Sequence, residues 1–201
     1  GKRFGDTEAR AFHLSFALFL AFACYPALKS SPRDRVPAFD WLLAALAIAA
    51  VLYLVVFYRE ISARPGLPTQ GDILAAVVGV VLLLEASRRA EGPWMPIIAI
   101  AALAYVFLGP YLPGLMAHRG SSLSRAASHF WLTSEGVFGV ALGVSTNFIF
   151  LFVLFGALLE KAGAGNYFIQ LSFALLGKFR GGPAKAAVVS SGLTGMISGS
   201  L

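Results

Sequence analysis

Long uncharged runs alternate with short polar segments along the chain. Five runs contain no Asp, Glu, Lys or Arg, and they cover 11–28, 41–58, 92–117, 136–159 and 162–177. A helix rises about 1.5 Å per residue, so about 20 residues cross a bilayer core of about 30 Å. Four of these runs reach roughly that length, and the last falls just short of it. The pattern therefore predicts several membrane-spanning helices.

Three further segments complete the pattern. The apolar run 73–84 reaches span length only if Asp72 and Glu85 lie at the two membrane surfaces, and the run 186–201 reaches the end of the sequence. The stretch 118–133 mixes His and Arg with Leu, Phe and Trp, which is typical of an amphipathic helix lying in the membrane interface. We therefore predict an all-α integral membrane protein with about six transmembrane helices and one interfacial helix.

The composition agrees with a chain surrounded mainly by lipid. Charged residues make up 13% of the sequence, whereas about 25% of a soluble domain is charged. The net charge of +6 arises in the loops and forms no basic face of the kind that binds nucleic acid. The lone cysteine, Cys24, supplies neither a disulfide framework nor a metal cluster. We expect the lipid bilayer as a partner, and neither nucleic acid nor a resident cofactor.

The distribution of Lys and Arg predicts the orientation. If the N-terminus is cytoplasmic and the spans alternate, ten basic residues lie inside and six outside. Since cytoplasmic loops carry the excess of basic residues, this count favours a cytoplasmic N-terminus for the chain. The sequence starts without Met and stops within an apolar run, so we expect it to be part of a longer protein.

Acidic residues lie near the ends of the predicted spans. Glu85 precedes Arg88 and Arg89 by three and four residues, so it can pair with both on one helical face. A buried carboxylate that relays protons is the other interpretation. We favour an ion-pair collar at the membrane surface, because no acidic residue lies deep inside a predicted span.

The last segment is rich in small residues. Eleven of the 18 residues in 184–201 are Ala, Gly, Ser or Thr. Small residues let helices approach closely, as in the spacing Gly195-x-x-x-Gly199. The alternative is a re-entrant half-helix whose glycine-rich tip exposes carbonyls and hydroxyls to a substrate or Na⁺ inside the membrane. Composition alone leaves both interpretations open.

Motifs in both halves of the chain resemble a known transporter family. The second half resembles the large membrane subunit of the tripartite ATP-independent periplasmic (TRAP) transporters in FGALLEKAG at 155–163, GKFRGGPAK at 177–185 and GMISGS at 195–200. The first half resembles the small four-helix subunit of the fused form, particularly the branch served by TAXI-type binding proteins, in DWLL at 40–43, PTQGD at 68–72 and LEASRR at 84–89.

The resemblance implies a domain organisation and a site. Residues 1–130 would form a scaffold of about four spans, and 131–201 the start of the large transport subunit, ending inside the first arm of a re-entrant helical hairpin. Ser198, Gly199 and Ser200 would contribute to a substrate and Na⁺ site at the hairpin tip.

The resemblance also implies an activity. The protein would be a membrane permease of the bacterial inner membrane, a Na⁺-coupled secondary transporter of the elevator type. It would import a small organic acid delivered by a periplasmic binding protein. The alternative is a non-transporting assembly subunit in which the small residues only pack. An intramembrane enzyme would need a nucleophile with a base, or paired acids, and no such set is visible in the spans.

Overall fold

The computed structural model describes residues 5–27 and 36–198, except for the side chains of Leu115, Ile197 and Ser198. Every regular element within these residues is a helix, which confirms the all-α prediction. Two compact units make up the chain, Gly1–Gly143 and Val144–Leu201. Three helices are long and apolar enough to cross a membrane, and they cover Ala38–Val56, Trp94–Tyr111 and Val140–Lys161.

The described residues of the first unit form seven α-helices. They are α1 (Asp6–Cys24), α2 (Ala38–Val56), α3 (Tyr58–Ser62), α4 (Gln70–Glu91), α5 (Trp94–Leu108), α6 (Leu123–Ala127) and α7 (Val140–Val144), the last ending where the second unit begins. A π-helical turn, Ser128–Leu132, follows α6. Helix α1 starts five residues before the predicted run because Asp6 and Glu8 fit the first turn of a helix, where the helix dipole favours acidic groups. Helix α3 is a single turn that follows α2.

The core of this unit lies between α1, α2 and α4. Helix α2 buries Ala44, Ala47 and Ala50 at a spacing of three residues, and α1 buries Leu14, Leu18 and Phe22 on one face. Small residues on one face let helix backbones approach closely, and van der Waals packing then holds the helices together. The row of buried alanines on α2 therefore explains why α2 packs against both α1 and α4.

The segment after α5 differs from the predicted interfacial helix at about 118–133. Residues 118–122 are not helical, and α6 begins only at Leu123, where the Ser122 hydroxyl accepts a hydrogen bond from the Arg125 amide at 3.3 Å. Part of the apolar face of this segment points into the bundle: Trp131 is fully buried, and its indole N–H donates to the Ala50 carbonyl at 3.4 Å, whereas Leu123 is exposed. Packing against the bundle therefore contributes to the order of this segment, and its position in the membrane interface stays a prediction.

Trp131 fits against α4 because residue 79 is glycine. A Cβ at Gly79 would overlap the indole ring. Phe138 covers the other side of Trp131 in an edge-to-face contact, with ring centroids 5.3 Å apart. Arg10 of α1 then donates to the carbonyls of Phe138 and Gly139 at 2.9 and 3.2 Å. These contacts fix the chain just before α7.

The second unit contains α8 (Phe150–Lys161), α9 (Ala164–Leu176) and α10 (Gly182–Ser198), preceded by a π-helical turn, Ser145–Ile149. The predicted helix over 136–159 therefore starts later, at Val140, because turns occupy the four residues before it. Helices α9 and α10 pack along each other, and both contact α8. The motif at 177–185 forms the connection between α9 and α10, and the motif at 155–163 covers the end of α8 and the turn before α9.

Candidate functional site

The predicted site falls at the end of the described chain. Ser198 is the last residue of α10, its side chain is not described, and Gly199 and Ser200 lie outside the described residues. The substrate and Na⁺ site at these three residues therefore stays a prediction. The described part of the site consists of α10 itself and the helices that support it.

Helix α10 is regular through its glycines. A Cβ built on Gly192 or Gly195 would meet no other atom within 4 Å, so neither glycine is required by packing within the described unit. The Thr194 hydroxyl donates to the Ser190 carbonyl at 2.9 Å, and the Ser190 hydroxyl to the Ala187 carbonyl at 3.4 Å. Both hydroxyls thus donate to carbonyls of their own helix, so their oxygens can still accept a hydrogen bond or coordinate a cation.

Helix α9 supports α10 through a face of small residues. Ala186 of α10 is fully buried, and Ser172 of α9 is 2% exposed. The Ser172 hydroxyl has no hydrogen-bond partner among the described residues. A buried hydroxyl without a partner is unfavourable by about 1–3 kcal/mol, so this position is not optimised for stability.

The motif at 177–185 forms the tight connection between α9 and α10. Gly181 has φ +72, a left-handed conformation that other residues rarely adopt. A Cβ at Gly182 would overlap the carbonyl of Leu176. The glycine pair therefore lets α10 begin directly beside the end of α9, with Lys178 and Arg180 exposed on the turn. This geometry explains why the motif needs its glycines.

Two networks of charged residues occupy opposite ends of α4. At the C-terminal end, Glu85 accepts hydrogen bonds from Arg88 and Arg89 at 2.8 Å, which confirms the predicted pairing. Arg89 also pairs with Asp40 of α2 at 2.8 Å, and these two side chains are 1% and 3% exposed. Phe22 of α1 lies under the Arg89 guanidinium, 4.9 Å from its ring centroid. This network joins three helices and has the form of a structural collar.

The network at the N-terminal end of α4 is centred on Asp72. This side chain is 1% exposed, and it accepts hydrogen bonds from the Thr69 amide at 2.8 Å and from the Tyr53 hydroxyl at 3.0 Å. Arg64 lies 3.5 Å away and neutralises it. A cleft of about 200 Å³, lined by both polar and apolar residues, opens beside these residues. Thr69 and Asp72 also cap the N-terminus of α4, so Asp72 lies at the beginning of this helix.

The described residues contain no group of three or more His, Cys, Asp and Glu placed to hold a metal ion. The two histidines of the segment before α7 are engaged separately. The ring of His118 packs against Tyr105 at 4.7 Å between centroids, and His129 lies 3.3 Å from a carboxylate oxygen of Glu135. Neither arrangement forms part of the hairpin site.

A family model described as the DctM component of the tripartite ATP-independent periplasmic transporter matches residues 78–201, more than half of the chain. The chain belongs to this family. It is thus a component of a TRAP transporter. The TRAP family consists of transporters rather than enzymes. Neither a curated protein nor a solved structure matches the chain. With its long apolar helices, the TRAP component is a multi-pass membrane protein.

The match covers all of the described candidate site in the TRAP component. It includes the connection at 177–185 and the whole of α10. It begins at residue 78, within α4, well before the predicted boundary at 131. The division into a small-subunit part, 1–130, and a large-subunit part, 131–201, therefore stays a prediction, as does membership of the TAXI-type branch.

Sequence reasoning missed the partner of Arg89 in this TRAP component. Asp40 was assigned only to the start of α2, and 49 residues separate it from Arg89. The only signal was that Asp40 is an acidic residue at the end of an otherwise apolar helix. Such a residue needs a cation nearby if it is buried.

Proposed function

We propose that this TRAP component is a fused permease that imports a small organic acid by Na⁺-coupled secondary transport. A periplasmic binding protein, of the TAXI type, delivers the substrate. The transport subunit then carries its site across the membrane in an elevator movement against a scaffold that includes α1, α2, α4 and α5. The observation that carries this proposal is the family match, which covers the motifs of the predicted transport subunit.

The placement of acidic residues supports coupling to Na⁺ rather than to protons. In the long helices they lie near the ends: Asp40 and Asp72 in first turns, Glu160 beside the last residue of α8, and Glu85 in an ion-pair network. A proton relay needs an ionisable group inside the membrane. Coordination of Na⁺ by carbonyl and hydroxyl oxygens at a broken helix needs none.

The proposed location is the bacterial inner membrane, with the N-terminus of the chain in the cytoplasm. The excess of Lys and Arg in the loops assigned to the cytoplasm supports this orientation. In this arrangement the exposed turn with Lys178 and Arg180 faces the cytoplasm, and the turn at Lys161 faces the periplasm.

Uptake measurements test the proposal. The full-length transporter is reconstituted in proteoliposomes, and uptake of candidate organic acids is measured with and without an inward Na⁺ gradient and the binding protein. We expect uptake that requires both. Uptake with Na⁺ alone would contradict the tripartite mechanism, and uptake driven equally by a proton gradient would contradict the Na⁺ coupling. A correctly folded protein that transports no candidate acid would favour the assembly-subunit alternative.

The hairpin tip is tested with a matched pair of serine variants. Ser200→Ala removes one proposed oxygen ligand, and we expect about a tenfold weaker apparent Na⁺ affinity in uptake. Ser191→Ala removes an exposed hydroxyl from α10, two turns before the tip, and should leave this affinity unchanged. Equal effects of the two variants would contradict the proposed position of the site.

A further inference from the structure

The connection between α9 and α10, here called the basic turn (177–185), concentrates positive charge. Lys178, Arg180 and Lys185 are three of the four basic residues in 144–201. All three side chains are exposed, and the sequence contains no Asp or Glu from 161 to 201. None of the three forms an ion pair with another residue in 5–27 or 36–198. The charge of the basic turn is therefore not balanced within the described residues.

Backbone hydrogen bonds fix the shape of the basic turn. The Phe179 amide donates to the Leu176 carbonyl at 3.1 Å, and the Gly182 amide donates to the Phe179 carbonyl at 2.7 Å. The Lys185 amide donates to the Gly181 carbonyl at 3.1 Å. The charged side chains thus extend from an ordered backbone. A partner that binds them does not have to order the turn first, which favours binding.

Exposed apolar side chains lie on both sides of the basic turn. Leu175, next to the last residue of α9, is 63% exposed, and Val188, about 9 Å along α10 from Gly182, is 73% exposed. Within the turn, Phe179 is 62% exposed between Lys178 and Arg180. In a membrane protein, apolar surface of this kind contacts lipid, and aromatic rings concentrate at the level of the headgroups. The basic side chains therefore extend from the level at which the apolar surface ends.

We propose that the basic turn binds anionic phospholipid headgroups at the membrane surface. Lys and Arg side chains lay their stems along apolar surface while their charged ends reach the headgroups. Clusters of basic residues beside a membrane helix are attracted to anionic lipids. An acidic protein would match the charge as well, but not the exposed apolar side chains on both sides of the turn. Lipid matches both features.

Quenching by labelled lipids tests the proposal. In the full-length transporter the cysteines, including Cys24, are replaced by Ala, and a fluorophore is attached at Ala184→Cys, an exposed position in the first turn of α10. The protein is reconstituted in phosphatidylcholine vesicles with a small fraction of spin-labelled phosphatidylglycerol or spin-labelled phosphatidylcholine. Both leaflets have the same composition, so the result depends neither on orientation nor on transport. We expect phosphatidylglycerol to be enriched at the fluorophore by about fivefold or more, since each basic residue near an anionic surface contributes about fivefold.

Charge variants locate the enrichment. Lys178→Gln combined with Arg180→Gln and Lys185→Gln should reduce the enrichment of phosphatidylglycerol to about onefold. About 1 M KCl should reduce it in the unchanged turn, because salt screens exposed charges. The matched control is Lys161→Gln, which removes an exposed charge from the opposite end of α9 and should leave the enrichment unchanged.

Four outcomes would overturn the proposal. Equal enrichment of the two lipids would favour a soluble acidic partner, and an enrichment that survives in the triple variant would place the lipid contact elsewhere. An equal loss with Lys161→Gln would show that the effect is not local to the basic turn. An enrichment that about 1 M KCl leaves unchanged would refute attraction by exposed charges, and this measurement decides the matter even if the triple variant does not fold.

Discussion

The two arginines at the end of α4 can be tested one at a time, because they share a partner and differ in burial. Arg88 and Arg89 both bind Glu85, but their side chains are 41% and 1% exposed. Arg89 also neutralises Asp40, which is 3% exposed. Arg89→Met keeps a long apolar stem and removes the charge, which leaves a buried carboxylate without its cation.

The magnitudes follow from this difference. Removing one partner of a buried ion pair costs about 3–5 kcal/mol, so we expect Arg89→Met to lower the free energy of unfolding by about that amount. The exposed pair of Arg88 with Glu85 contributes at most about 1 kcal/mol. Arg88 also donates to the Ala27 carbonyl at 3.0 Å, which adds about 1 kcal/mol to the expected cost of Arg88→Met.

The assay is urea unfolding of the full-length protein in detergent, followed by tryptophan fluorescence. A third variant, Asp40→Leu combined with Arg89→Met, removes both buried charges, and we expect it to recover much of the lost stability. Equal losses for the two arginine variants would refute the argument from burial. Asp40→Leu is also measured alone, and a double variant whose loss equals the summed losses of Asp40→Leu and Arg89→Met would refute the direct pairing of Asp40 with Arg89.

Three further variants test the packing. Gly79→Ala places a methyl group against the ring of Trp131, so we expect it to lower the free energy of unfolding in urea by about 1–3 kcal/mol. Gly192→Ala places its methyl group in open space and should leave stability unchanged or raise it slightly. Equal effects of the two variants would contradict the described contact. Ser172→Ala removes a buried hydroxyl without a described partner, so stability should stay equal or rise by about 1 kcal/mol, and a marked loss would show that the hydroxyl has a partner.

The local features of the fold could be predicted from the sequence. The pairing of Glu85 with two arginines and the acidic start of α4 depend on residues three or four positions apart, so helical geometry determines them. Helix α9 was predicted within two residues because glycines and charges mark both of its ends. For the same reason the motif at 177–185 was placed correctly as a connection.

The long-range features could not be predicted. The sequence indicated an amphipathic segment at 118–133, but it could not show which of its apolar residues pack on α4 and which stay exposed. A helix surface and lipid are both apolar, so the hydrophobic pattern is the same. Trp131 fits because residue 79, which lies 52 positions earlier, is a glycine and has no Cβ. The tip at Ser198, Gly199 and Ser200 stays a prediction from resemblance.

The hydrogen bonds of Arg10 have a consequence for where this chain can be divided into separate polypeptides. Arg10 lies near the start of the chain, yet it binds the carbonyls of Phe138 and Gly139, more than 120 residues later. A break after residue 130 would leave the arginine on one polypeptide and its acceptors on the other. A break after Gly143 would keep them together. In a co-expression of two halves, the hydrogen bonds of Arg10 must therefore form between polypeptides if the break follows residue 130, whereas a break after Gly143 keeps them within one polypeptide but cuts α7 inside the candidate span Val140–Lys161.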